Sequence, residues 1–259
     1  MNNLEFSIVT VCFNSEKTVE TTIKSILQQR FKNYEYIIVD GASKDGTMDV
    51  VKSYEEKFEG RLRYISEPDK GIYDAFNKGV RMSKGKYVWI VNSDDYIEPN
   101  ALEELYKTSS QYTFENAPII SAGMNLVRKE GASTHFGSAE KAALGFKKDW
   151  ICSSHPSTVI PLKVYEHIGL YNDKFYIAGD LDWLHRAYKA KTAFVFVDYV
   201  ITNMIYDGIS SKPNFKKEYA DRILFLKSNY KNPFTIANRL LRWLLRFYIR
   251  NFLKNKHNS

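Results

Sequence analysis

The sequence predicts an α/β fold: a Rossmann-like, mostly parallel central sheet flanked by helices, with a C-terminal basic amphipathic helical tail. Three observations carry this expectation. Strand-like apolar runs alternate with one-face helical patterns three times between Phe6 and Ser83, a succession that demands parallel pairing. The run Tyr87-Val88-Trp89-Ile90-Val91 is apolar on both faces, as suits a central strand, and stops abruptly at Asn92-Ser93-Asp94-Asp95. Each of the first four strands ends in polar residues, so one edge of the sheet collects the chemistry.

Phe6 to Cys12, β-branched and mostly apolar, reads as the first strand. Beyond Phe13-Asn14-Ser15, Val19, Ile23, Ile26 and Leu27 recur at helical spacing. Tyr36 to Val39 is the second strand, ending in Asp40, and the polar turn Gly41 to Thr47 leads into a helix carrying Val50, Val51, Tyr54 and Phe58. Leu62 to Ile65 is the third strand, and Ser66 to Gly71 opens a helix from Ile72 to Ser83. The strand at Tyr87 is the fourth. Glu98-Pro99 suits the start of a helix through Leu102 and Leu105. Ile119 to Met124 reads as a further strand, Ala178 to Arg186 as a helix start with Leu181, Leu184 and Tyr188 on one face, and Ala193 to Val200 as one more strand. Ser133 to Ser154 has no clear period and is expected to be mobile or to serve a binding role.

A chain of 259 residues can bury one sizeable core. No stretch reaches the roughly 18 uninterrupted apolar residues of a spanning helix, and the chain enters its first strand without a signal-like segment, so a cytoplasmic location is expected. Cys12 and Cys152 stand far apart in no metal-like spacing and are expected to be buried small apolar residues. The absence of Gly-x-x-x-x-Gly-Lys-Ser/Thr and Gly-x-Gly-x-x-Gly argues against a P-loop ATPase or a dinucleotide oxidoreductase.

At the end of the fourth strand, the carboxylates of Asp94 and Asp95 offer the hard oxygens that suit Mg²⁺ or Mn²⁺ carrying a phosphate; the plain alternative is a turn-forming Asp. Asp40 closes the second strand, where a carboxylate can accept from a base or a ribose. Asp180 follows Gly179 at a helix start, as a general base or as an ordinary N-cap. Asp182 lies four residues before Arg186 and reads as a surface pair or first-turn helix charge ahead of a catalytic group, which makes it the second choice for the base. His155, before Pro156, is either a satisfied loop histidine or a contact to a bound molecule.

The motifs Phe13-Asn14, Val39-Asp40-Gly41-Ala42-Ser43-Lys44-Asp45-Gly46-Thr47, Asp69-Lys70-Gly71-Ile72-Tyr73-Asp74-Ala75-Phe76-Asn77-Lys78-Gly79 and Asn92-Ser93-Asp94-Asp95 occur in this order. With them the chain resembles family 2 glycosyltransferases of the GT-A fold, in the bacterial polysaccharide-biosynthesis branch, over roughly residues 5 to 205. The resemblance implies an inverting, divalent-metal-dependent transfer from a nucleotide diphosphate sugar, UDP-linked by expectation, to a carbohydrate or lipid-linked acceptor. It implies base and ribose contacts from Thr10, Asn14, Asp40 and Ser43, with Asp69, Gly71, Asn77 and Asp94 near the nucleotide and sugar. Asp95 would hold Mg²⁺ or Mn²⁺, Asp180 would be the base, and His155 and Asp182 would face the acceptor. Residues 1–110 would form the nucleotide-sugar half of a domain spanning 1–211, and 111–211 its acceptor half. Two departures stand out: relatives often carry Asp where Asn92 stands and Glu-Asp where Gly179-Asp180 stands.

The net charge of +7 is uneven. From Lys212 onward 12 Lys and Arg face 2 Asp and Glu, a net +10, which leaves −3 on the rest (25 against 28). Arg239, Arg242, Arg246, Arg250 and Lys254 recur at spacings of three and four among Trp243, Phe247 and leucines. The tail 212–259 therefore reads as a helix for an anionic membrane surface, placing the protein at the inner face of the cell membrane. The alternative is packing on the body or on a second subunit, which would make a homo-oligomer. A nucleic-acid-binding module acting through the tail and a non-catalytic nucleotide-sugar sensor are the competing readings, and the acids at the strand ends favour the enzyme over both.

Overall fold

Strand-turn-helix units build the first half of the chain. The computed structural model describes residues 4–128, 133–136, 154–206 and 214–257. β1 (Phe6–Cys12), α1 (Val19–Leu27), β2 (Tyr34–Asp40), α2 (Thr47–Lys52), β3 (Leu62–Ser66), α3 (Ile72–Met82) and β4 (Tyr87–Ile90) follow one another as the sequence predicts. All seven residues of β1 and all four of β4 are buried, as expected of central strands covered on both faces. The second helix is shorter than its apolar pattern suggests. It ends at Lys52, and Tyr54 and Phe58 reach the core from the following turn and from a 3₁₀ turn at Glu56–Phe58.

The second half adds β5 (Tyr96–Ile97), α4 (Ala101–Ser109), β6 (Ile119–Val127), β7 (Ser133–Phe136), β8 (Thr158–Pro161), α5 (Leu162–Ile168), α6 (Gly179–Lys189) and β9 (Phe194–Ile205). β5, β7 and α5 have no clear signal in the sequence: two-, four- and seven-residue elements are too short to display a period. Of the segment from Ser133 to Ser154, β7 and Ser154 are described; the rest, with Cys152, lies outside the described residues.

The strands form one sheet in the order β3-β2-β1-β4-β8-β6-β9-β5, with β7 paired to β6. From β3 to β4 every pairing is parallel. β8 then runs antiparallel to β4, β6 antiparallel to β8, β9 parallel to β6 and β5 antiparallel to β9. Alternation along the strands sends Phe6, Ile8, Tyr36, Ile38 and Trp89 to a layer with α1 and α4, and Val9, Val11, Ile37, Val39 and Ile90 to a layer with α3, α5 and α6. Full burial of each large apolar side chain contributes about 1.5–3 kcal/mol.

Two further helices follow, α7 (Phe215–Asn229) and α8 (Pro233–His257). They are not one detached tail. Phe225 and Leu226 of α7 are buried in the layer that holds α6, and Ile236 and Leu240 of α8 pack at its margin. Trp243 and Phe247, expected at a membrane boundary, stack instead on Phe215 and Tyr219 of α7. Among the described residues no helix is long and apolar enough to cross a membrane.

Candidate active site

Parallel pairing brings the carboxyl ends of β1 to β4 to one edge, and the loops there are tied to one another by short polar contacts. Asn14 turns with φ 50°; its N–H donates to Ser43 Oγ at 2.8 Å and its Oδ1 accepts from Lys44 N–H at 2.9 Å. Ser15 N–H donates to Thr47 Oγ1 at 2.7 Å, and its hydroxyl meets that of Ser93 at 2.9 Å. The loops after β1, β2 and β4 are thus one connected rim. Phe13 stands on it 63% exposed, a free aromatic face that the strand pattern alone does not single out as functional.

Several predicted contact residues lie behind this rim. Thr10 is fully buried and its hydroxyl accepts from Tyr36 at 3.0 Å. Asp40 is also fully buried; it accepts from Ser43 N–H at 3.0 Å, from the Ser43 hydroxyl and from the Ser66 hydroxyl at 2.6 Å. It therefore buttresses the loops after β2 and β3, and a direct nucleotide contact would require a serine to move. The adjacent Cys12 thiol is pushed well above its ordinary range by burial and then by the Asp40 charge, which leaves it inert. Asn77 is 5% exposed and clasps the backbone of Tyr171 in both directions at 2.9 Å, so it braces α3 rather than facing a sugar. Asp69 is partly exposed and lies beside Gly41, with Lys78 Nζ at 2.6 Å. Burial raises its carboxyl above the usual range against the pull of Lys78. Gly71, at φ 149°, caps α3 in a conformation that side chains rarely adopt.

The two acids after β4 part company. Asp95 is 1% exposed, accepting from Ile205 N–H at 3.0 Å and from Asn92 Nδ2 at 3.3 Å. Burial, then the charge of Asp94, raise it to about 7. It ties the loop to the end of β9, so as a metal holder it would have to give up part of this pairing. Asp94 is partly exposed, and Asn92 Oδ1 beside it is buried with no hydrogen-bond partner. Among the described residues no three His, Cys, Asp or Glu group as a metal cage. That donor set, one carboxylate and one orphaned amide oxygen, fits Mg²⁺ or Mn²⁺ held largely by substrate phosphates and water.

Asp180 comes to the same edge from far along the chain. It sits in the first turn of α6, partly exposed, and Oδ1 accepts from the Tyr73 hydroxyl at 3.1 Å. Tyr73 lies two residues past Gly71, in the first turn of α3, which places Asp180 beside the loop after β3. No side-chain cap bond holds the start of α6, so the capping role open to Asp180 is not used. The other two candidates are buried supports. His155 is 8% exposed, stacks on Phe76 at 5.2 Å and meets the Tyr171 hydroxyl at 2.9 Å. Its imidazole is held below the ordinary range by burial, opposed by the Asp180 charge. Asp182 is 2% exposed and accepts from Arg186 Nε and Asn229 Nδ2, each at 3.0 Å. Neither offers an open surface to an acceptor. Tyr73 and Phe13 stand within the motifs quoted from the sequence but receive no role there, because exposed or polar-tipped aromatics resemble core residues in a linear pattern.

Residues 7–158 match the model of a family described as "Glycosyl transferase family 2". The chain is 35% identical over 99 residues to the putative teichuronic acid biosynthesis glycosyltransferase TuaG of Bacillus subtilis, 38% of this chain and 39% of TuaG. It is 30% identical over 107 residues to the putative glycosyltransferase EpsH of the same organism, 41% of this chain but only 31% of EpsH. Its structure superposes on S. aureus TarS 1–349 in complex with UDP-GlcNAc with a TM-score of 0.69 at 18% identity, covering 93% of this chain and 71% of the other. That likeness establishes the GT-A fold.

Proposed function

Because the chain belongs to glycosyl transferase family 2, we propose that it moves a sugar from a UDP-linked or similar nucleotide donor to a carbohydrate or lipid-linked acceptor, inverting the anomeric carbon with the help of Mg²⁺ or Mn²⁺. The observation that carries this reading is the Asp180 carboxylate, partly exposed and held by Tyr73 beside the loops that would cradle a diphosphate. In the step, an acceptor oxygen bonds to the anomeric carbon while the bond from that carbon to the diphosphate oxygen breaks. The electron pair leaves with the diphosphate, and the acceptor's proton passes to Asp180. A single base opposite the leaving group yields inversion. A divalent ion there would be held by Asp94 with the Asn92 amide oxygen nearby, and would supply charge neutralisation for the diphosphate. Phe13 offers a face for the base, and the Asn14-Ser43-Lys44 rim orients the nucleotide.

TuaG's description as a teichuronic acid enzyme and the UDP-GlcNAc bound to TarS support a cell-surface polysaccharide setting and a UDP donor. The cytoplasmic membrane face, approached through α8, is the proposed location. Thermal-shift screening of UDP, GDP and dTDP sugars with Mn²⁺ identifies the donor. With that donor, Asp180→Asn is expected to lower turnover by about 10²-fold or more while donor affinity stays level. Near-normal turnover by this variant would sink the assignment.

A further inference from the structure

The loop that delivers Asp180 is held at its last three residues from outside. Tyr176, Ile177 and Ala178 lead into α6, and no side chain of α6 caps its first turn. Their three N–H groups converge on one carboxylate from outside that region. Tyr176 N–H donates to Asp221 Oδ1 at 2.8 Å, and Ile177 and Ala178 N–H donate to Oδ2 at 2.7 and 3.0 Å. Asp221 is 4% exposed and belongs to α7, in the segment whose composition reads as a tail. A carboxylate taking three backbone donors in a buried setting is a strong, directional anchor. The rest of α7 reinforces it. Phe225, four residues on, enters the core; Asn229 donates to Asp182 of α6 at 3.0 Å; Lys217 lies 3.9 Å over the Tyr176 ring.

We propose that Asp221 is a positioning residue for the sugar-transfer reaction, fixing residues 176–178 so that the Asp180 carboxylate stands where Tyr73 meets it. This rests on the reading of Asp180 as the base. Asp221 touches no substrate; its effect passes through the backbone that sets the first turn of α6. Displacing a reacting group by about an ångström costs up to about 10²-fold in rate, so turnover is sensitive to this anchor while nucleotide binding at the β1, β2 and β4 loops is not. The segment 215–229 is accordingly part of the catalytic body.

The test uses the full chain with Asp221→Ala and Asp221→Asn, and the nucleotide sugar giving the largest thermal shift among UDP, GDP and dTDP sugars. Transfer to water and the donor's KM are measured, together with hydrogen exchange of the amides of Tyr176, Ile177 and Ala178. The expected result is faster exchange at these amides, turnover lowered about tenfold or more in Asp221→Ala, a smaller loss in Asp221→Asn, which keeps one acceptor oxygen, and an unchanged donor KM. If Asp221→Ala does not fold, the comparison of Asp221→Asn with wild type decides. Unaltered exchange, or faster exchange with unaltered turnover, overturns the proposal, as does a rise in KM that accounts for the whole loss. Should wild type turn over no donor, the reading of Asp180 as the base, on which this rests, is the part that fails, while exchange still decides whether Asp221 anchors the loop.

Discussion

The Tyr73 hydroxyl meets the Asp180 carboxylate at 3.1 Å across 107 residues of chain, and glycine at position 179 makes room for it. A Cβ there would stand 2.8 Å from Cδ2 and Cε2 of the Tyr73 ring, closer than side chains tolerate. An aromatic ring is thus seated where any side chain at position 179 would begin.

This relationship predicts coupling. Gly179→Ala pushes the ring aside and Tyr73→Phe removes the donor, so each is expected to lower turnover about tenfold by loosening the geometry at Asp180. Because both act on one contact, the double variant should lose little more than either single one. Turnover losses that multiply would show that the two residues act separately.

The second prediction separates the adjacent acids. Asp94→Asn is expected to raise the Mn²⁺ concentration needed for half-maximal activity, and EDTA is expected to lower activity in wild type. Asp95→Ala leaves Ile205 N–H and the Asn92 amide without their acceptor and should cost about 1–3 kcal/mol of stability. If instead Asp95→Asn alone changes the metal requirement, the ion sits with Asp95.

His155 yields a pH prediction. Burial lowers its folded pKa, so on acidification the unfolded chain takes up the proton first. The neutral ring's contribution is present above the unfolded value, about 6.5, and is lost as pH falls through the folded one. Between pH 7 and 5 the melting temperature should fall less steeply in His155→Gln than in wild type. Its neighbours Tyr171, Phe76 and the nearby Asp180 charge are common to both proteins. Equal slopes would remove His155 as a source of acid sensitivity.

The parallel half of the fold was legible because β1, β2 and β4 are continuous apolar runs closed by polar turns and α1 and α3 show one-face spacing, and the edge that holds Asp94 and Asp69 followed from it. The choice between Asp94 and Asp95 was not, because β4 ends at Ile90 and the alternation that assigns faces stops before them. Asp40, Asn77, His155 and Asp182 have the residue types of a site, yet their partners, Ser66, Tyr171, Phe76 and Asn229, lie far away in sequence. Asp221 was hidden for the same reason. Its three backbone partners leave no mark in the amino-acid pattern, and the basic composition around it points outward.

The same composition still bears on α8. Phe234, Leu241, Leu245 and Tyr248 are 87%, 58%, 55% and 72% exposed, and their spacings of seven, four and three put them on one helix face. The face toward the body carries Ile236, Leu240, Trp243 and Phe247. An exposed apolar stripe with Arg242 beside it suits an anionic membrane surface, where each Lys or Arg contributes about 1 kcal/mol. The decisive comparison is between full-length protein and one ending at Asn232, which keeps α7 and Asp221. The shortened protein should retain donor binding, sediment no longer with vesicles containing phosphatidylserine, and transfer more slowly to a lipid-linked acceptor. Leu241→Glu with Leu245→Glu should weaken vesicle binding in the intact chain without lowering its melting temperature, because neither side chain is buried. Vesicle binding unaffected by both changes would reject the membrane surface, whereas a large fall in melting temperature on removing α8 would make it a brace for α7.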